Sequence, residues 1–177
     1  YPLANLHPRK FYVSPKATIH HDRLRLGPNV FIDDGVIIFR DKLGGPVELS
    51  KGVHLHRDVI IQTGKNGSVA IGEDTHIQPR CLFSALMAPI QIGAFGEIAP
   101  NCAFYPYDHG SRAGELIRRQ PLQTKGGIVI GDEFLASRPI VGERQPVEIG
   151  DLPGGPVTEP FRKLGIPEQA DHAIEQL

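Results

Sequence analysis

The stretch YPYDHG, residues 105–110, places a single histidine, His109, where an apolar and glycine-rich pattern breaks off. About twenty polar residues follow before the pattern resumes at IVIGD, residues 128–132. Histidine carries a largely neutral, proton-accepting imidazole near pH 7, which is what a poor nucleophile such as an alcohol needs from a base. Asp108 is its neighbour, but successive residues on an extended chain point to opposite sides, so it is not assigned as an orienting partner. Arg112, Arg118 and Arg119 in the polar segment could meet phosphates or an anionic sugar, although solvated loop charges are the commoner case. A second set lies earlier in the chain. His54 and His76 are 22 residues apart, each directly ahead of an aliphatic residue (Leu55, Ile77), and Glu97 comes next in the same column. Such a column can hold a metal. A solvated polar face is the commoner fate of such residues, and no metal is expected here.

The elements that position these residues follow from a repeat. Apolar residues recur at every sixth position: Leu26, Ile32, Ile38; Leu49, Leu55, Ile61; Ile71, Ile77, Phe83; Ile92, Ile98, Phe104. A six-residue period is neither helical nor the simple alternation of a half-buried sheet. It suits a very short strand with one inward aliphatic side chain followed by a turn, and three such units close a triangular coil. The triplets begin at residues 26, 49, 71 and 92, with spacings of 23, 22 and 21. The excess over eighteen falls at RDKLGGPVE, TGKNGSVA and SALMAPIQ, which are expected to be loops at one corner. Coils of this kind bury their aliphatic columns only against neighbouring coils, so stacking supplies the stability. Small or acidic residues often follow the apolar one: Gly27, Asp33, Gly72, Gly93, Ala99, Gly131 and Gly150. An antiparallel β-sandwich would show period two and no fixed six-residue register.

Bulk properties agree with one soluble domain. The 177 residues can enclose a sizeable core. A net charge of −1 argues against a nucleic-acid binder, which would show a clustered basic face. No apolar run approaches the ~20 residues of a membrane span, no signal peptide is evident, and a cytoplasmic location is expected. The chain starts at Tyr1, which leaves the native amino terminus open. Cys81 and Cys102 each sit in an apolar phrase and are expected to be buried reduced thiols. Twenty glycines and sixteen prolines predict frequent turns in place of long helices.

The phrases LGPNVFID, IGEDTHIQPRC, IGAFGEIAPNC and IVIGD resemble the hexapeptide repeats of the left-handed parallel β-helix acyltransferases. IAPN…YDHG…QPLQTKGGIVIGD is similar to the xenobiotic and galactoside/maltose O-acetyltransferase branch, over about residues 13–151. That resemblance implies an all-β, left-handed parallel β-helix of hexapeptide repeats with an extruded loop. It implies a homotrimer that transfers acetyl from acetyl-CoA to a hydroxyl of a sugar or polysaccharide precursor. His109 then occupies the position of the general base. Asn101 and Tyr107 fall where the acceptor binds; the plain alternative for Asn101 is a left-handed turn asparagine. The backbone donor for the oxyanion is placed in EFLASR, at Ala136 and Ser137, which would contact coenzyme A. The register there is irregular, because Leu135 follows Ile130 by five residues and not six.

Expected organisation is a lead-in over 1–22, the repeat over 23–151 with an extended loop at 109–127, and a tail over 152–177 that includes a short helix or tail from Pro167. Beyond Asp132 the family's closing coils, with IGAGSVV and an AGxPA exit, are replaced by VEIGDLPGGPV and LGIPE. Two alternatives therefore stay open. One is a catalytically impaired scaffold trimer of the same coil. The other is a zinc enzyme resembling the γ-type carbonic anhydrases, which bind zinc through three histidines between subunits; no third histidine stands at the separation they need.

Overall fold

The structure, a computed structural model, describes residues 10–136 and 140–141. Its short strands line three faces of a parallel β-solenoid. The first face stacks Tyr12–Val13, Phe31–Ile32, His54–Leu55, His76–Ile77, Glu97–Ile98 and Leu135–Ala136. The second stacks Thr18–His20, Ile37–Arg40, Ile60–Thr63, Leu82–Ala85, Ala103–Tyr105 and Ile140–Val141. The third stacks Leu24–Leu26, Val47–Leu49, Val69–Ile71, Ile90–Ile92 and Ile128–Ile130. Every pairing within these faces is parallel, and each six-residue column is a ladder, as in Ile32↔Leu55 and Ile77↔Ile98. The architecture is all-β and compatible with a left-handed β-helix of hexapeptide repeats. The one helical segment among the described residues is a 3₁₀ turn at Ile117–Arg119. No helix there is long and apolar enough to cross a membrane.

The core is the stack of inward aliphatics. Ile32, Leu55, Ile77 and Ile98 are fully buried on one face, with Ile38, Ile61, Phe83 and Phe104 on the next. Phe83 and Phe104 stack with ring centroids 4.7 Å apart. The coil begins ahead of Arg23, since Tyr12–Val13 and Thr18–His20 already pair with the following coil inside the span expected as a lead-in. The expected carboxyl-terminal helix or tail lies outside the described residues.

The unequal spacings have one cause. The connections from second to third face run over 41–46, 64–68 and 86–89, shortening by one residue each time, while the other two corners keep a constant length. The surplus segments are therefore loops at a single corner, and the polar segment leaves the coil at that same corner, between Tyr105 and Ile128. From residue 29 on, those other corners turn on a left-handed residue. Gly35, Asp58, Arg80 and Asn101 occupy one column, and Asn29, Gly52, Asp74, Phe95 and Glu133 the other. Glycines after the third-face aliphatics answer to close stacking. A Cβ on Gly72 would lie 2.5 Å from Ala94 N, and one on Gly93 would lie 2.3 Å from Gly131 O.

Candidate functional site

The polar segment is tied down at its root. Asp108–His109 pairs antiparallel with Leu122–Gln123, placing His109 opposite Leu122, and Gly110 N–H donates to Pro121 O. Thr124 Oγ1 donates to Pro106 O at 2.6 Å, closing the base of the loop. Within the loop Gln120 is buried, and its amide donates to Arg112 O and Glu115 O while its Oε1 accepts Arg112 N–H. One buried amide thus organises a segment with no coil of its own, because each of its polar atoms has a partner. His109 itself is exposed. Asp108 Oδ1 accepts the His109 backbone N–H at 2.7 Å, so this carboxylate is spent on the main chain and not on the imidazole.

Tyr107 sits where the chain leaves the second face. Its hydroxyl is 2.8 Å from Ser84 Oγ, and Ser84 Oγ accepts from Gln62 Nε2 at 2.6 Å. The ring lies edge-on to Tyr105. Asn101 is at the far end of the preceding strand, in the left-handed corner column with φ 63°. Its Oδ1 accepts from Arg80 Nε at 2.9 Å, a corner-to-corner bond between coils. The described contacts do not join Asn101 to His109 or Tyr107.

Ala136 is a core residue. It pairs with Ile98, its side chain is buried, and its carbonyl accepts Ala99 N–H at 2.8 Å. The six-residue register is therefore kept after Ile130, with Ala136 and not Leu135 as the inward residue; Leu135 is 65% exposed. The apparent irregularity came from counting the larger aliphatic as the core residue. Phe134 fills the space beside glycine 96, where a Cβ would meet its ring at 1.9 Å. Ser137 lies outside the described residues.

The two cysteines are buried thiols without a disulfide. Cys81 Sγ faces Ala99 O at 3.2 Å, and burial pushes its thiol up to about 11. Burial raises Cys102 as well. Neither thiol is primed for nucleophilic work.

A second constellation lies on the outside of the first face. The residues ahead of each inward aliphatic form one column: Tyr12, Phe31, His54, His76, Glu97. Tyr12 stacks on Phe31 at 5.0 Å, and His54 stacks on His76 at 4.6 Å with rings only 3° from parallel. His56, two residues after His54 and so on the same side of the chain, lies edge-on to both rings at 6.3 Å. One nitrogen from each of the three histidines lies within 4.8 Å of the others, and all three side chains are half-buried. His76 Nδ1 is 3.2 Å from Glu97 Oε1, and Glu97 Oε2 accepts from Gln78 Nε2 at 3.1 Å. Burial first, then the charges of His76 and His56, holds His54 below the ordinary histidine value. His54 and His76 stack as their one-coil separation predicts. His56 is not revealed by that column spacing; the H-x-H alternation is the sequence signal for it.

Fold and side-chain placement together define a parallel β-solenoid, compatible with a hexapeptide-repeat β-helix, with a tethered loop at one corner. No family model matches the chain, and no curated protein matches it at a significant level.

Proposed function

We propose that the chain is an acetyl-CoA-dependent O-acetyltransferase acting on a hydroxyl of a sugar or polysaccharide precursor, with His109 as general base. The observation that carries this reading is the loop root. It is the antiparallel ladder among the described residues, and it presents an exposed imidazole on backbone held at both ends. In the reaction, His109 takes the acceptor hydroxyl proton as that oxygen attacks the thioester carbonyl. The tetrahedral intermediate collapses, the carbon–sulfur bond breaks, and the imidazolium returns the proton to the departing thiolate. Tyr107 lies two residues ahead of the base in the chain, and its hydroxyl, anchored through Ser84 to Gln62, is what it could offer an acceptor. Asn101 serves the coil corner, and its remaining amide group is what it could offer an acceptor. Ala136 has no accessible side chain, so its part in donor binding would be through main chain alone. A homotrimer fits this reading, with the acceptor cleft shared by neighbouring copies.

A thiol-release assay with acetyl-CoA across a panel of glycans tests the proposal. Acceptor-dependent release supports it. Silence across the panel together with no coenzyme A binding leaves the coil as a scaffold.

A further inference from the structure

We propose that His54, His56 and His76 form a binding site for a single transition-metal dication of the zinc(II) and cobalt(II) class, built within one chain from two successive coils. The site goes beyond the acyl-transfer reading and does not depend on it, since the cluster lies on the first face and His109 lies beyond the end of the second.

The argument begins with the fold. Parallel stacking repeats each position one coil on, so His76 lies directly over His54 in register. Strand alternation then brings His56 to the same outer side as His54. Two independent rules of the coil thus converge three imidazoles on one spot. Metal nitrogens at about 2.0–2.1 Å from a tetrahedral ion stand about 3.3 Å from one another. The observed nitrogens lie within 4.8 Å, and the broad terminal torsion of histidine lets the rings tilt inward from their stack.

Ligand chemistry agrees. All three groups are imidazoles, which bind a metal through a neutral ring nitrogen. Glu97 lies 3.2 Å from Nδ1 of His76. A proton kept on that nitrogen, facing the carboxylate, leaves Nε2 with its lone pair bare. Metal-binding histidines commonly carry such an outer carboxylate, and Gln78 in turn holds Glu97 in place. Three imidazoles with no thiolate favour zinc, cobalt, nickel or copper over magnesium or calcium. Half-burial leaves the outer side of the cluster to solvent, so the remaining coordination positions would be filled by water or by an exchangeable ligand.

The test is titration of the untagged full chain with Co2+, followed by visible absorption and by competition with Zn2+. The expected result is ligand-field bands that saturate at one ion per chain and are displaced by Zn2+. Saturating Zn2+, at about a hundred times its Kd, should also raise Tm by about 5–10 °C. Glu97→Gln should weaken binding by about 10–100-fold. His56→Gln should weaken it further, with a native circular-dichroism spectrum, because the bond His56 makes between coils is a main-chain one, from its N–H to Ile77 O. His109→Ala should leave binding unchanged. Absence of the Co2+ bands in the wild-type chain would overturn the proposal, and so would unchanged affinity in a folded His56→Gln variant.

Discussion

Replacing His109 by alanine separates chemistry from structure unusually well. The imidazole is exposed, so its removal opens no cavity. The interactions that hold the residue are main-chain ones: the ladder to Leu122, and the N–H accepted by Asp108 Oδ1. Both survive in alanine. Surface substitutions of this kind change stability by within about 0.5 kcal/mol. On the proposed role as general base, the catalytic cost is of another order. A positioned acid–base group contributes about 10²–10⁴-fold, which at about 1.36 kcal/mol per decade is roughly 3–5 kcal/mol of transition-state stabilisation. The assay is acetyl-CoA thiol release at saturating acceptor, alongside thermal unfolding and coenzyme A affinity. Expected are a rate lower by that factor, an unchanged Tm and an unchanged coenzyme A affinity. Thr124→Val is the companion variant. It cuts the 2.6 Å bond to Pro106 O that closes the loop, and should lower activity by loosening the base without removing it. If His109→Ala keeps most of its activity while remaining folded, the residue has no part in the mechanism.

Three further outcomes are expected. Gly93→Ala puts a Cβ 2.3–2.5 Å from the backbone of Gly131 and the Asp132 carboxylate, and overpacking of this kind costs about 1–3 kcal/mol, read as a lower denaturation midpoint. His21 is buried with Nδ1 accepting Arg23 N–H and Nε2 facing Thr63 Oγ1, and burial followed by the Arg40 charge holds it below 6.5. Because the unfolded chain then binds the proton more readily, stability is full above about pH 6.5 and declines as pH falls below it; His54 is lowered too and acts in the same direction. Urea unfolding from pH 8 to 5 should show the decline, reduced in His21→Gln, and a stability flat across that range would refute it. Cys81, buried and pushed up to about 11, should resist iodoacetamide in the folded chain at pH 8 and react after unfolding.

Much of the fold was legible because a solenoid repeats its physics. Each coil sets inward apolar residues at the same places, so Leu55, Ile77 and Ile98 recur at a fixed position, and a local pattern becomes a global one. The loops at one corner were legible as the surplus over eighteen residues, and the stacking of His54 on His76 as a separation equal to one coil. What the linear pattern could not decide was anything that depends on where a side chain ends. Ala136 is the inward residue and Leu135 the outward one, because ladder register with Ile98, and not side-chain size, selects the core position. Asn101 reads as a binding residue or a corner residue in sequence; the backbone at φ 63° and the bond from Arg80 show that it holds a corner. His56 became the third member of a cluster only once stacking set the spacing between coils and strand alternation set the direction of the ring. Sequence determines which residues repeat, since burial periodicity is a property of each short segment. Tertiary structure alone decides which of the repeated positions meet, because those contacts join residues about one coil apart and form only when one coil lies on the next.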